Sequence, residues 1–431
     1  MDLEKWTEKP YDVVIVGGGA AGFFASIRLK ELQPDLNIVI VEKTQKLLSK
    51  VRVSGGGRCN VTHNCLRNSE LLSYYPRGKR MLKEAFNMWN VSNTIDWFEK
   101  HGVALKTEVD GRMFPITDNS ETIAGLFEFL AKKYAIDIVK GWELVHLHKD
   151  AENIWSSEFF NKDKESASVK SEFVVLAMGG QQNLNHYAVL QQLGINVKFP
   201  VPSLFTFQIK DSVLTALSGV AVESGNVKLV GFDVAFQGPI LVTHWGLSGP
   251  AVLKTSAWAA EWLNEKKYQC TVLIGWVSDP ENQFREVIYQ LVEDNLKKNI
   301  GNLPLPQTLP NRIWNLILEK SAVSTEKKCF ELSKSEKNKI VENTLRMPFD
   351  IIGKTTFKEE FVTAGGIEDV SILLKSMELI DNPGLFATGE FLNIDGVTGG
   401  FNFQAAWSTA NLVAQSIAKK KNQSSPNSEN L

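Results

Sequence analysis

The first hydrophobic positions of this chain form an unbroken block. Val13-Val14-Ile15-Val16 is a continuous apolar run, the pattern of a strand covered on both faces. It opens directly onto Gly17-Gly18-Gly19-Ala20-Ala21-Gly22 and a helix-like segment, and a second apolar run, Ile38 to Val41, then ends on Glu42. Helical periodicity follows over Thr94 to Lys100 and over Thr122 to Tyr134, where Ile123, Leu126, Phe127 and Leu130 share a face. Trp142 to Leu147, Ile154 to Phe160 and Val169 to Glu172 read as a small antiparallel meander, which leads into the apolar strand Phe173 to Ala177. From Pro200 to about Val277 the pattern changes to short strands separated by Gly, Pro and Asn, such as Asn226 to Val230, Asp233 to Phe236 and Ile240 to Thr243. Phe284, Val287, Ile288 and Leu291 restore helical spacing, and the stretch to Leu345 reads as short helices broken by Pro304, Pro306 and Pro310.

From Phe361 the opening style returns, with Thr363-Ala364-Gly365-Gly366, the strand-like Gly384 to Ala387, and Thr388-Gly389-Glu390. A last helix begins after Gly399-Gly400 and carries Phe403, Ala406, Trp407, Ala410, Val413 and Ile417 on one face. The expected class is α/β, a Rossmann-like domain interrupted by an insert. Residues 1–199 and 353–418 form its two parts, 200–280 a β-barrel-like insert, 281–352 a helical insert subdomain, and 419–431 a frayed tail.

Composition narrows the function classes. With 431 residues, 43% hydrophobic and 22% charged, and a formal charge of −2, the chain has the balance of a globular protein and no strong global field. The helical insert is only slightly basic, so a solvated surface is expected there rather than a nucleic-acid face. No apolar stretch is long enough to span a membrane, and the N-terminus lacks the pattern of a signal peptide. Four cysteines do not make a disulfide framework, which points to the cytoplasm. The crowded spacing of Cys59, His63 and Cys65, with no second ligand pair downstream, matches neither a metal site nor a dithiol pair, so no metal is expected.

The chemistry rests on glycine clusters. In strand–G-x-G-x-x-G–helix, Gly17 permits the turn, Gly19 and the following Ala20 and Ala21 let a pyrophosphate reach the helix N-terminus, and Gly22 allows close packing. Glu42, twenty residues after Gly22 and followed by Lys43, is placed to accept hydrogen bonds from a ribose. NAD and FAD both satisfy this fingerprint. Two more strands end in glycine turns, Ala177-Met178-Gly179-Gly180 and Ala387-Thr388-Gly389-Glu390, and both suit a long extended cofactor, which favours FAD. In the glutathione-reductase-type fold the second turn places an acid near the ribityl and pyrophosphate region, making Glu390 and Asp395 candidates. The first turn is equally an ordinary strand-end turn.

Asp395-Gly396-Val397-Thr398-Gly399-Gly400-Phe401-Asn402 then opens the last helix, whose positive end would stabilise negative charge on a reduced flavin. Ser54-Gly55-Gly56-Gly57-Arg58-Cys59-Asn60, preceded by Lys50 and Arg52, suits a loop folded over a phosphate or an isoalloxazine, with Arg58 as anion partner. His244, at a probable strand end before a Gly- and Pro-containing turn, is a candidate proton donor, although a lone histidine is more often structural.

Together, G-G-G-A-A-G, S-G-G-G-R-C-N-V-T, G-R-M-F-P (Gly111 to Pro115), T-H-W-G-L-S-G-P (Thr243 to Pro250), F-V-T-A-G-G and G-E-F-L-N-I-D-G-V-T-G-G-F-N resemble the bacterial BaiN-type flavoprotein family. The resemblance implies an NAD(P)/FAD-dependent oxidoreductase with a glutathione-reductase-type FAD domain interrupted by an insert of a β-barrel and a helical subdomain. It also implies that Gly17, Gly19, Gly22, Glu42, Ser54 to Asn60, Gly389, Glu390 and Gly400 to Asn402 line the FAD, and that the motif around His244 approaches the flavin. One departure stands out: where the family carries Thr-Met-Glu-Ser-Lys, this chain reads Ser376-Met377-Glu378-Leu379-Ile380 and lacks the lysine.

The expected function is hydride exchange between flavin N5 and a small organic substrate, with His244 and Arg58 as catalytic candidates. No second G-x-G-x-x-G is present, so NAD(P)H would bind transiently over the flavin. An amine oxidase using dioxygen, a flavoprotein acting on tRNA, and a flavin-bound sensor without turnover are the alternatives. Neither a membrane nor a nucleic acid is an expected partner, and the oligomeric state is not readable.

Overall fold

The computed structural model describes residues 6–180, 184–305, 309–355 and 362–424. Pro306, Phe361 and the tail beyond Ser424 lie outside them. Contacts divide the chain into one unit of Met1–Pro202 with Lys358–Leu431 and a second of Ser203–Phe357.

The first unit is built on its apolar runs. Val13–Val16 of β1 (Tyr11–Val16) are all buried, which a strand without alternation requires of a position inside a parallel sheet. The connection from β1 to β2 (Ile38–Glu42) is α1 (Ala20–Leu32), and Val13 pairs with Ile38 in parallel register. Next come α2 (Ser49–Gly57), α3 (Val91–Lys100), started by an Asn90/Asn93 capping box, and α4 (Glu121–Lys133). β3 (Asp137–Lys140) then extends the sheet beside β2. The expected meander is β4 (Trp142–Lys149), β5 (Trp155–Asn161) and β6 (Ser166–Leu176). Strand β6 serves two surfaces: its first half pairs antiparallel with β5, while Phe173 to Leu176 run parallel to β1.

The second unit contains a closed barrel of β7 (Thr206–Ile209), β8 (Ala221–Leu229), β9 (Ala235–Thr243), β10 (Gly246–Ser248), β11 (Cys270–Gly275) and β12 (Met347–Thr355), in the order β7-β10-β9-β8-β11-β12. Two details differ from the sequence pattern. Asp233 to Phe236 and Ile240 to Thr243, separated in the sequence by Gly238-Pro239, contribute to the single strand β9. The closing strand β12 comes after the helices α5 (Glu281–Asp294), α6 (Asn311–Lys320) and α7 (Lys334–Arg346), so the helical segment is an excursion within the barrel. One continuous apolar core joins them, including Val272 and Ile274 from the barrel and Ile288, Trp314 and Ile340 from the helices.

Back in the first unit, β13 (Ile372–Leu373), β14 (Glu378–Leu379) and β15 (Leu385–Ala387) complete a nine-stranded sheet with the path β13-β14-β15-β6-β1-β2-β3. α8 (Phe401–Ser424) packs on α1. Aromatic edges fill their seam: the Phe24 ring lies 4.9 Å from Trp97 and 5.3 Å from Trp407, contacts worth about 0.5–1.5 kcal/mol each beyond area burial. The expected frayed tail is corrected over 419–424, which remain helical. Lys420 reaches Glu378 at 2.9 Å, and Lys421 reaches Asp12 at 2.8 Å and Glu172 at 2.7 Å, so ion pairs hold this last turn. No helix among the described residues is long and apolar enough to cross a membrane.

Candidate functional site

The fingerprint glycines have different reasons to be glycine. An added Cβ at Gly17 would sit 2.3 Å from the Ala177 carbonyl oxygen, and one at Gly22 would sit 2.0 Å from that of Gly17. Both positions are therefore fixed by backbone packing. At Gly19 a Cβ would meet nothing within 4 Å. Gly19 is also the N-cap of α1, with no side-chain capping bond and no acid in the first turn, so Ala20 and Ala21 begin a helix whose N–H groups and positive end are offered to an anion. The residues fit a pyrophosphate at this point.

Glu42 does more than wait for a ribose. One carboxylate oxygen accepts from the Gly18 N–H at 2.7 Å and the other from the Thr44 N–H at 2.9 Å, which locks the fingerprint loop to the end of β2. Each oxygen keeps a second lone pair for a hydroxyl. Lys43 turns to other partners, His186 at 3.4 Å and Glu143 at 4.0 Å.

The strand-end turns meet the fingerprint as well. Ala177 donates its N–H to the Val16 carbonyl at 2.8 Å, and Gly179 adopts a left-handed backbone. At Gly389 an added Cβ would lie 2.8 Å from the Ala21 Cβ, so this distant glycine abuts the start of α1. Glu390 accepts from the Thr363 N–H at 2.9 Å and forms an ion pair with Lys50 of α2. Segments more than 300 positions apart in the sequence are thus joined around one helix terminus.

Gly55, Gly56 and Gly57 all have positive φ, at 58°, 69° and 83°. They kink the end of α2, the kind of turn whose peptide N–H groups can face an anion. Ser54 keeps its hydroxyl on the Val51 carbonyl at 3.1 Å. Arg58, expected as the anion partner, is engaged elsewhere: it pairs with Glu108 at 2.7 Å and Asp118 at 3.6 Å and lies over the Phe114 ring at 4.0 Å. Two acids therefore share its charge in this arrangement. Cys59 is fully buried, and burial pushes its thiol up to about 12, so it remains a neutral packing group.

Asn60 couples this loop to the C-terminal turn. Its side-chain oxygen accepts from the Gly400 N–H at 3.0 Å, and its amide donates to the Thr62 carbonyl at 3.0 Å. Asn402 closes the turn by accepting from the Gly396 N–H at 2.8 Å and donating to the Gly396 carbonyl at 2.9 Å. Asp395 is corrected: its side chain is fully buried, and its carboxylate takes two bonds from Arg77, one at 2.6 Å. A carboxylate so enclosed anchors the turn and is not available to a cofactor. The Phe401 ring is likewise occupied, stacked on Tyr74 at 4.3 Å and on His63 at 4.6 Å.

His244 belongs to the second unit. It sits exposed in the tight connection between β9 and β10, with its ring edge-on to Trp245 at 4.3 Å. Two histidines of the first unit were not expected as site residues: His186 was not singled out, and His63 was weighed only as a metal ligand. His186 lies 3.4 Å from both the Lys43 ammonium and the Met178 carbonyl, and burial, reinforced by Lys43, lowers its pKa to about 4. No motif surrounds it. His63 directly follows the conspicuous G-R-C-N-V-T run, a signal that a longer reading of that motif would have used.

Residues 11–416 match the family described as HI0933-like protein Rossmann domain. The chain belongs to this family. Among relatives of this HI0933-like chain, the ribosomal RNA dihydrouridine synthase of Haemophilus influenzae (strain ATCC 51907 / DSM 11121 / KW20 / Rd) is 28% identical over 417 residues, covering 94% of this chain and 98% of that protein. The 3-dehydro-bile acid delta(4,6)-reductase of Clostridium scindens (strain ATCC 35704 / DSM 5676 / VPI 13733 / 19) is 23% identical over 414 residues, covering 94% and 98%. The crystal structure of 3-ketosteroid-delta4-(5alpha)-dehydrogenase from Rhodococcus jostii RHA1, in complex with 4-androstene-3,17-dione, has a TM-score of 0.52 at 12% identity, covering 95% of this chain and 97% of that one; the likeness is one of fold. The HI0933-like chain is accordingly a member of a flavoprotein oxidoreductase family with a Rossmann-type fold.

Proposed function

We propose that this protein is an FAD-dependent reductase that saturates a C=C bond conjugated to a carbonyl, with NAD(P)H as reductant. The observation that carries the reading is the chemistry shared by the names of two relatives matched over nearly their whole length. Dihydrouridine is uridine with the ring C=C beside its carbonyl reduced, and a 3-dehydro-bile acid delta(4,6)-reductase acts on double bonds conjugated to a ketone. FAD, when bound, supplies the hydride for such a bond at flavin N5.

The chain's own residues support the cofactor part of the reading. The open side of Gly19 and the uncapped start of α1 suit the pyrophosphate, and Glu42 has lone pairs left for the ribose. The first turn of α8 is steadied by Asn60 on Gly400, and its N-terminus would favour negative charge on a reduced ring bound beside it.

Purified protein should be yellow and release FAD on denaturation. Under anaerobic conditions NADH or NADPH should bleach it, and either 4-androstene-3,17-dione or a uridine-containing ribosomal RNA fragment should restore the colour; these two oxidants separate a small enone from a base in RNA. FMN, or no flavin, overturns the cofactor assignment. Recovery with dioxygen alone overturns the C=C reading in favour of an oxidase.

A further inference from the structure

Reduction of a conjugated C=C bond needs two deliveries, a hydride at one carbon and a proton at its neighbour. Arg58, expected at this step, pairs with Glu108 at 2.7 Å and with Asp118 at 3.6 Å, and His244 belongs to the second unit. Another group stands on the C-terminal turn itself. Tyr74 accepts the Val397 N–H on its backbone carbonyl at 3.0 Å, and its ring stacks on Phe401 at 4.3 Å with the planes 13° apart. The stack continues to His63, at 4.6 Å from Phe401 and 20° from parallel. It is packed onto the glycine turn, since a Cβ added to Gly399 would lie 2.8 Å from the Phe401 ring and 3.5 Å from that of His63.

The two neighbouring tyrosines differ in how their hydroxyls are used. Tyr75 is buried and donates to the Phe401 carbonyl at 2.6 Å, a closed structural bond. Tyr74 is half-buried, and its hydroxyl makes no hydrogen bond among the described residues. Beside it, His63 bonds the Asp110 carbonyl through Nε2 at 3.0 Å while its buried Nδ1 has no partner, so the same stack carries an unused donor and an unused acceptor.

We propose that Tyr74 is the proton donor of the reduction, an assignment that rests on the C=C reading above. As hydride adds to one carbon, the π electron pair of the double bond moves to the other, where the adjacent carbonyl delocalises it. That carbon then takes the proton of the Tyr74 O–H, leaving a phenolate that water reprotonates at the exposed edge. A bound reduced flavin would supply the two electrons, with a nicotinamide as its reductant. Burial, together with Cys65 and Glu70, holds the Tyr74 hydroxyl above its usual value, so it retains the proton throughout the neutral range.

Tyr74→Phe in the flavin-loaded protein tests this. FAD affinity, read by quenching of flavin fluorescence, and the rate of bleaching by NAD(P)H should stay within twofold of the parent. Anaerobic reoxidation by 4-androstene-3,17-dione or the uridine-containing RNA fragment should slow at least a hundredfold, the usual span for a general acid being about 10²–10⁴. An alkaline fall in the parent's reoxidation rate should be absent in the variant. Unchanged reoxidation, or loss of FAD, overturns the assignment while leaving the C=C reading intact. A parent protein that neither compound reoxidises defeats the C=C reading, and this assignment with it.

Discussion

Two glycine-rich regions of the first unit, Gly17 to Gly22 and Ser54 to Asn60, look interchangeable as text and are not so as structure. In the first, glycine is imposed at Gly17 and Gly22 because another backbone occupies the space of a side chain, within 2.3 and 2.0 Å. In the second, Gly56 and Gly57 face open space and are glycine because φ is positive. One region is tight and builds the fold, and the other is shaped and available. Only Gly19 in the first region shares the openness of the second, and it sits where the helix terminus is uncapped.

Four measurements press on this contrast. Gly22→Ala drives a methyl group into the Gly17 carbonyl and should cost about 3 kcal/mol or more in denaturant unfolding; near-parental stability would show that the loop yields and the contrast is false. Gly19→Ala should leave stability unchanged while weakening FAD binding about tenfold, the equivalent of about 1.4 kcal/mol, by titration of the apoprotein. Gly56→Ala should cost about 1 kcal/mol of stability for its left-handed backbone alone, without the larger penalty of a collision.

The smallest effect concerns His186 beside the Met178 turn. Its pKa falls from an ordinary 6.5 to about 4 on folding, so between those values the unfolded chain binds more protons. Its contribution is complete above pH 6.5 and is lost as the pH drops toward 4. His186→Gln should flatten that part of the melting temperature against pH, and an unchanged slope would assign it to other groups.

The fold class was legible because its signals are local. A continuous apolar strand, a glycine turn, a helix and an acid lie within Asp12 to Glu42, and the barrel region shows as short strands, although Gly238-Pro239 splits β9 in the pattern and not in the fold. Partnership between distant side chains was not legible. Asp395 and Glu390 are five residues apart in one glycine-rich segment, yet Arg77 encloses the first while Lys50 and the Thr363 N–H meet the second. Arg58 stood in a persuasive loop, but Glu108 and Asp118, supplied by a later segment, decide what it does. Periodicity reports which face is buried and is silent about which charge meets which. The closing strand β12 was hidden for a similar reason: its partners β7 and β11 lie on the far side of three helices in the sequence.

That closing strand also makes β11 and β12 the two arms of a hairpin, with Ile274 opposite Met347, whose connection happens to run from residue 276 to residue 346. Topologically such a connection is a graft: it leaves and re-enters the barrel at adjacent points, and a short turn would satisfy the same two strands. Physically it has stopped being one, because Trp276, Phe284, Ile288, Trp314 and Ile340 share the barrel's own apolar core. Cutting it back to a turn would expose apolar side chains of that shared core to water. A segment that looks like an accessory along the chain is part of the core in the fold.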